Sequence, residues 1–424
     1  MTSQGLLAYV RILHVLHQYM PDHIGGTELY AKTLSMRQVQ AGHEVAIFVP
    51  AEISPAWPEP AQEDGVRIYR FPTGARSASK RLRSTFVNST IKRAFERALA
   101  KEQPDIVHIQ HLMGLPASSV DLLLERGIPY VLTLHDYWYI CANAQLLTNY
   151  DNTICEGPYW WLNCARCALA RMDLRNADLL SPVIAPIFAL RNRLVTRALN
   201  GAKQLIAPTS FVRDTYGSQG VNIDRITVIP HGIDTPSESY SRRDPVENEL
   251  RIGYIGGLSW QKGVHVLIEA FNGLSEEGSS LSIWGDQESF PGYVKELRKL
   301  AQHRGIEFKG QLSRHRLWSV LSGYDVVVVP SLWYETASLI IQEAFAVRVP
   351  VIASGIGALA SRISDGVDGL LVPPDDPYAL AAALRELMQN PDLLRRLQSG
   401  IQPVYTIPEH EHAIEVVYDS AIGK

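Results

Sequence analysis

Seven residues separate Glu335 from Glu343 in VVVVPSLWYETASLIIQEAF, residues 326–345. The valine run reads as a buried strand ending at Pro330. Glu335 then falls in a loop, and Glu343 falls about two turns into a helix expected to start near Ala337. A carboxylate can accept two hydroxyl protons at once, which suits a sugar diol. The start of such a helix offers N–H groups, here at Ser338 and Leu339, and a partial positive charge to a phosphate. Spacing alone favours two ordinary exposed acids; the strand–loop–helix context favours a site.

Three further segments have the same character. In RIGYIGGLSWQKG, residues 251–263, a strand runs into Gly256-Gly257, and Lys262 reads as the start of a helix. Glycines let backbone N–H groups approach phosphate oxygens, and a lysine adds a compact charge. A plain strand-to-helix turn is the competing reading. Asp22-His23-Ile24-Gly25-Gly26-Thr27 follows the first strand and reads equally well as an amide-lined loop or a tight turn. Thr133-Leu134-His135-Asp136 puts His135 at the carboxyl end of a buried strand. His111 holds the same position after another strand, though a lone histidine there is more often structural.

Positioning these loops requires strand–helix alternation, and the chain supplies it. Strands are expected at Ile12–His17, Glu44–Val49, Val66–Phe71, Asp105–Ile109, Tyr130–Leu134, Lys203–Ala207 and Arg225–Ile229. Helices are expected at Thr27–Gln40, with Thr27 as its cap, and over 84–101 and 117–126. A polar, proline-bearing stretch over 234–248 makes the best linker. A second alternation follows, with strands at Leu250–Ile255, Ser280–Trp284, Ile306–Phe308, Asp325–Val329, Pro350–Ala353 and Gly369–Val372. Helices are expected there over 262–271, 293–304, 314–322, 338–346 and 378–388. Such alternation implies parallel strands joined by crossover helices, which bind ligands beyond the strands' carboxyl ends.

The 424 residues suggest two or three domains, and 46% hydrophobic with 20% charged residues is a globular balance. A net charge of −4 disfavours a strongly basic nucleic-acid binder. No apolar run is expected to span a membrane; Leu179–Leu190 comes closest, and Pro182 and Pro186 interrupt it. The amino terminus makes a poor signal peptide, so the expected location is cytoplasmic.

Taken together, GGTE, TLHD, VIPHGID, YIGGLSWQKG, PSLWYETASLIIQEAF and DGVDGLLVPPDD resemble the retaining nucleotide-sugar glycosyltransferases of GT-B fold, in order and over nearly the whole chain. That family includes bacterial hexosyltransferases, glycogen synthases and sucrose-phosphate synthases. The resemblance implies an α/β protein with two Rossmann-like parallel-sheet domains facing across a cleft. An acceptor-side domain over 1–238 would carry an insertion at 137–177. A donor domain would cover 246–400, and a helix in 401–424 would return to the first domain.

It also implies roles. Glu343 would bind the donor ribose, and Glu335 the donor hexose near the reacting face. Lys262 would pair with the diphosphate and stabilise the leaving group. The Ser338 and Leu339 amides would help hold phosphate and sugar, His135 would contact the hexose, and Gly25-Gly26 would close over the phosphates. Gly256 and Gly257 belong to the phosphate strand. Gly310, Gln311 and Leu312 would pack along the base through backbone groups. Transfer would proceed with retention on the front face, the departing phosphate taking the acceptor proton, with no cofactor required. The donor expected is a uridine diphosphate sugar; the acceptor, a sugar phosphate or a lipid-linked glycan. The rivals are a nucleotide-sugar 2-epimerase and a degenerate, non-catalytic sugar-nucleotide-binding subunit. Two departures stand out: Gly257 sits where the family often has arginine, and Arg348 replaces a customary glycine.

Two features lie outside the shared motifs. Between Gly65 and Phe95 there are eight bases and no acid: Arg67, Arg70, Arg76, Lys80, Arg81, Arg83, Lys92 and Arg93. A solvated face competes with a site for an anionic acceptor, with Arg81, Arg83 and His111 as candidates, or with peripheral contact at the inner face of a membrane. Cys141, Cys155, Cys164 and Cys167 are the only cysteines and fall within 27 residues. Four thiolates ending in Cys-x-x-Cys suit a closed structural zinc site; reduced core cysteines and a redox pair are the competing readings.

Overall fold

The computed structural model describes residues 9–21, 25–51, 59–73, 78–236, 240 and 244–423. The Asp22-His23-Ile24 part of the glycine loop and Arg76 lie outside them. The chain divides into two compact units, Met1–Pro230 with Pro408–Lys424, and His231–Ile407.

The first unit is built on eight strands: β1 (Arg11–Val15), β2 (Glu44–Ala51), β3 (Ala61–Glu63), β4 (Val66–Pro72), β5 (Ile106–Ile109), β6 (Tyr130–Thr133), β7 (Gln204–Ala207) and β8 (Ile226–Val228). Their order is β3-β4-β2-β1-β5-β6-β7-β8. All neighbours are parallel except β3, an antiparallel edge strand folded back on β4. The hairpin turns at Asp64-Gly65, both at positive φ (51° and 82°). Asn, Asp and Gly tolerate that conformation, so the Asp-Gly pair marks the turn. β1, β5 and β6 are apolar and buried on both faces, as parallel strands sandwiched by helices must be.

The second unit has six parallel strands: β9 (Leu250–Ile255), β10 (Ser279–Trp284), β11 (Ile306–Gly310), β12 (Val326–Val329), β13 (Val351–Ser354) and β14 (Gly369–Val372), in the order β11-β10-β9-β12-β13-β14. Its core includes Leu250, Ile252, Leu267, Phe271, Val326, Ile352 and Leu384. The chain winds outward in both directions from β1/β5 in the first sheet and from β9/β12 in the second. Each reversal parts the crossover connections and opens a crevice at the strands' carboxyl ends. The loops after β1, β5, β9 and β12 carry most of the residues with chemistry.

Several elements differ from the sequence pattern. Thr27 lies inside the first helix, Gly26–Gln40, whose cap is Gly25. The stretch 84–101 is two helices, Ala78–Phe86 and Ser89–Glu102, because the Asn88 side chain accepts the Ile91 N–H and starts the second. Lys262 ends a short 3₁₀ turn, and the helix is Val264–Asn272. The helix after Glu335 starts at Leu339, so Glu343 sits just over one turn in. Pro182 and Pro186 do not break the apolar stretch, which forms the helix Ser181–Gly201. Pro182 occupies the first turn, where no N–H is needed. The apolar helical segment Asp178–Gly201 is long enough to cross a membrane by composition alone, with 28% of its apolar window buried.

Candidate functional site

In the second unit, the loops after β9 and β12 meet at Glu335. The carboxylate is buried, and its Oε1 accepts Lys262 Nζ at 2.6 Å, Ser331 Oγ at 2.7 Å and Trp333 Nε1 at 3.1 Å. Burial opposes its ionisation. The Lys262 charge and the three donors together outweigh burial and hold the carboxyl below its ordinary value. Lys262 also lies 5.4 Å from the centre of the Trp333 ring. Three donors thus fix one oxygen of the carboxylate, Oε1.

Gly263 makes that approach possible. It sits at φ 67°, and a Cβ there would stand 1.9 Å from the Pro330 carbonyl oxygen. The 258–263 turn therefore lies directly on the backbone after β12, and the Leu332 N–H donates to the Gln261 carbonyl at 2.8 Å. At Gly257 an added Cβ would meet nothing within 4 Å, so no packing demand explains glycine in the place where the family often has arginine.

Glu343 is also buried and pairs with Arg314. Ser338 precedes its helix at φ 38°, a left-handed conformation uncommon for serine. In the first turn of the Leu339–Ala346 helix the Ile341 N–H is spent on the Ser338 carbonyl at 3.1 Å, whereas the N–H groups that open a helix have no carbonyl in a preceding turn. Gly310 ends β11 at φ 77°, and the exposed Gln311 and half-buried Leu312 follow it. Arg348 occupies φ 60°, the conformation for which glycine is suited, and its guanidinium donates to the Ile401 carbonyl. That bond gives the substitution a physical account.

In the first unit, His135 lies buried at the end of β6 and is wired into a polar chain through the core. Its Nε2 donates to Gln110 Oε1 at 2.7 Å. Gln110 Nε2 donates to His14 Nδ1 at 3.1 Å, and His14 Nε2 to Gln38 Oε1 at 2.7 Å. Gln38 Nε2 donates to the Tyr418 hydroxyl at 3.2 Å, which contacts His108 Nδ1 at 2.6 Å; His108 Nε2 meets Thr133 Oγ1 at 2.7 Å. The amides set the direction at His135 and His14, whose Nε2–H groups donate to Gln110 and Gln38. Burial pulls His14 down to about 4, His135 to about 3, and His108 well below the ordinary value.

His111 is held differently. The Met113 N–H donates to its Nδ1 at 2.9 Å, which leaves Nε2 to donate to Asp136 Oδ2 at 3.0 Å. Asp136 is pulled below its usual range: burial opposes this, but His111 and the Trp138 N–H outweigh it. Gly25 caps the first helix, and a Cβ there would lie 2.6 Å from Glu28 Oε2, whereas Gly26 has open space. Glu28 itself is buried, and burial raises its pKa.

The basic stretch is less available than its composition suggests. Arg67 is committed to Glu102 at 2.7 Å and Glu44 at 3.0 Å, and Arg70 to Glu63 at 2.9 Å. Arg83 is exposed on the Ala78–Phe86 helix, which also carries Arg81. The four cysteines are free thiols around one cavity, and no three His, Cys, Asp or Glu among the described residues already form a metal-holding group.

The structure thus brings Lys262 and Glu335 into contact, and places His135 and His111 at neighbouring strand ends. Sequence reasoning missed Arg314, Asp136, Ser331, Trp333 and the polar chain through Gln110, Gln38 and Tyr418. Asp136 carried a signal as the residue after His135, and Ser331 and Trp333 lie within the Glu335 motif; the others carried none.

Two Rossmann-like units, each with its chemistry at the carboxyl ends of parallel strands, define a GT-B glycosyltransferase. Residues 24–236 match the family model described as Glycosyltransferase Family 4, and residues 238–402 match that of Glycosyl transferases group 1. The chain belongs to this family of nucleotide-sugar glycosyltransferases. It is 33% identical to a D-inositol 3-phosphate glycosyltransferase of Corynebacterium urealyticum, over 89% of this chain and 85% of that protein. It is 25% identical to a glycogen synthase of Mycobacterium tuberculosis, over 91% and 88%. Its fold is similar to that of sucrose-phosphate synthase from Thermosynechococcus elongatus, with a TM-score of 0.70, 20% identity, and coverage of 97% of this chain and 99% of that one.

Proposed function

We propose that this glycosyltransferase moves a hexosyl group, with retention, from a uridine diphosphate sugar to a hydroxyl of a phosphorylated polyol or sugar. The observation that carries this reading is the Lys262–Glu335 pair at 2.6 Å, with Glu335 held ionised by three donors. A fixed carboxylate suits the donor hexose hydroxyls, and a lysine beside it suits the departing diphosphate. Glu343 on its short helix takes the ribose. The departing phosphate receives the acceptor proton, so the protein contributes positioning and charge stabilisation. An acceptor phosphate is supported by the 33% identity to an enzyme named for inositol 3-phosphate and by the exposed Arg83.

The test is a thermal-shift panel of nucleoside diphosphates on wild type and Glu335→Ala, followed by transfer assays with inositol phosphates and hexose phosphates. Preferential stabilisation by uridine diphosphate, with transfer lost in the variant, supports the reading. Transfer equal to wild type in the variant removes the role given to Glu335. Donor isomerisation without any acceptor selects the epimerase rival, and binding with no turnover at all selects the non-catalytic one.

The same enzyme is proposed to work in the cytoplasm, docked on the surface of an anionic bilayer. Leu179, Val183, Ile187 and Leu190 recur at helical spacing and are 93%, 74%, 46% and 51% exposed. Exposed Tyr159 and Trp160 supply interfacial aromatics, and the exposed Arg193 and Arg197 follow the stripe along its helix. Co-sedimentation with vesicles rich in phosphatidylglycerol, lost in Leu179→Asp/Val183→Asp, supports docking. Equal recovery with and without vesicles overturns it, as does a stable dimer dispersed by the same pair of substitutions.

A further inference from the structure

The segment between His135 and the Leu162–Arg171 helix has little regular structure to hold it. A single antiparallel bridge, Leu147 to Ile154, is its only ladder pairing among the described residues. The apolar cluster on which that helix packs has three buried members, Ala165, Ala185 and Phe188. Tyr137, Trp138, Tyr139, Leu146 and Leu147 are buried and anchor the start of the segment, and a cross-link or a metal would fix the rest.

All four cysteines of the chain converge there from three separate stretches. Cys141 sits in the turn after the aromatic run, its N–H donating to the Tyr137 carbonyl at 2.7 Å, and Cys155 N–H donates to the Leu146 carbonyl at 2.8 Å. Cys164 and Cys167 are three residues apart on the helix Leu162–Arg171, which places them on one face. All four line a single cavity of about 340 Å³, and none is in a disulfide.

Two amide donors point at the sulfurs. The Asn149 N–H donates to Cys167 Sγ at 3.2 Å, and Asn163 Nδ2 to Cys155 Sγ at 3.5 Å. Donors of this kind hold the sulfurs of thiolate–metal sites in place. Arg191 is 3% exposed, stacks 4.5 Å from the Trp138 ring and donates to the Trp138 carbonyl at 2.5 Å. Its buried charge interacts with Cys141 and Cys164. Burial, reinforced by neighbouring sulfurs, pushes Cys164 up to about 12 and Cys167 up to about 11, and raises Cys155.

We propose that Cys141, Cys155, Cys164 and Cys167 together ligate one zinc ion that staples this insertion. Each cysteine has a single side-chain torsion, and zinc binding would turn the four sulfurs into the cavity they line, since as they stand no three of them hold a common centre. Binding deprotonates four thiols, forms four Zn–S bonds and releases four protons to solvent. Arg191 offsets part of the double negative charge of the resulting tetrathiolate. The role is structural: no open ligand position is left for chemistry.

The test uses the full chain purified without chelator from zinc-replete cells. Elemental analysis is expected to give about one zinc per chain, with the thiols unreactive until the metal is displaced, as for a closed four-thiolate site. Cobalt in place of zinc is expected to give the absorption bands of a tetrahedral thiolate complex. Cys164→Ser/Cys167→Ser is expected to weaken metal binding at least ~100-fold, since ligand loss exceeds the loss on altering outer partners. Nucleotide binding by the 231–407 unit should persist. Chains without metal and with four readily titrated thiols, or with two disulfides, overturn the proposal. Iron with acid-labile sulfide overturns the assignment to zinc. If the double variant fails to fold, the metal content and cobalt spectrum of the wild type still decide.

Discussion

The two sheets share one construction at their amino ends and part company at their carboxyl ends. In the first unit Arg11, opening β1, donates its N–H to Asp105 Oδ2 at 2.8 Å and its guanidinium to Oδ1 at 2.8 Å. In the second, Arg251 in β9 makes the same two bonds to Asp325, at 2.8 and 2.9 Å. Each clamp ties together the two strands that flank a reversal of strand order. At the opposite ends, the second unit gathers charge: Lys262 on Glu335 and Arg314 on Glu343, with both carboxylates buried. The first unit gathers buried rings joined by amides and hydroxyls, with a single carboxylate, Asp136, held by His111 beside them. The same scaffold therefore supports two electrostatic characters, according to what the loops contribute. A charged end suits a ligand that brings phosphates. A neutral, donor-directed end suits one recognised by its hydroxyls.

Four substitutions would break or sharpen that contrast. The largest effect is expected from Lys262→Ala, which removes the cation of the charged end. Losing one electrostatic stabiliser costs about 10²–10³ in turnover, measurable as kcat with a saturating acceptor. The pH dependence of stability should change sign as well. With Lys262 present, the Glu335 pKa lies below its unfolded value. Its contribution is then complete above that value and fades as pH falls through the folded pKa. Without Lys262 burial dominates and the pKa is raised, so stability falls as pH rises through it. Denaturant titrations from pH 3 to 7 would separate the two.

Next is Gly263→Ala. Its positive φ and its approach to Pro330 leave no room for a methyl group, so a loss of more than about 1 kcal/mol and a lower melting temperature are expected. Nucleotide affinity should fall too, because the turn carries Lys262. At the neutral end, Tyr418→Phe removes a hydroxyl that serves both Gln38 and His108. An unsatisfied buried group costs about 1–3 kcal/mol, visible in thermal unfolding, while nucleotide binding by the second unit should be unchanged. The wild type should also lose stability as pH falls below the unfolded histidine value of about 6.5, since the buried rings stay neutral down to about 4 while the unfolded chain takes up protons. The smallest effect is expected from Gly257→Arg, whose side chain enters open space. The protein should fold normally and bind nucleoside diphosphate more tightly by a few-fold, as for one exposed charge near a phosphate; weaker binding would place the phosphates elsewhere.

The parallel strands of both sheets were legible in the chain because parallel strands buried on both faces need apolar runs such as VVVV, and because crossover helices must separate them; the exposed antiparallel edge strand β3, AQE, carries no such run. The Glu335–Glu343 segment, Lys262 and His135 were legible as residue types at strand ends. Partners were not, because a side chain's neighbours across a sheet are set by strand order, which apolar runs leave open. Nothing in residues 251–263 says that β9 lies beside β12 rather than β10 alone, and that adjacency puts Lys262 on Glu335. Likewise, three histidines spread from residue 14 to 135 look like unrelated polar points. Only the register of β1 on β5, with His14 opposite His108, and the packing of a helix from the far end of the chain make them one hydrogen-bonded chain. Local composition decides what a segment can be; tertiary contact decides which charges meet, since electrostatic and hydrogen-bond energies depend on separations of a few ångströms that sequence distance does not encode.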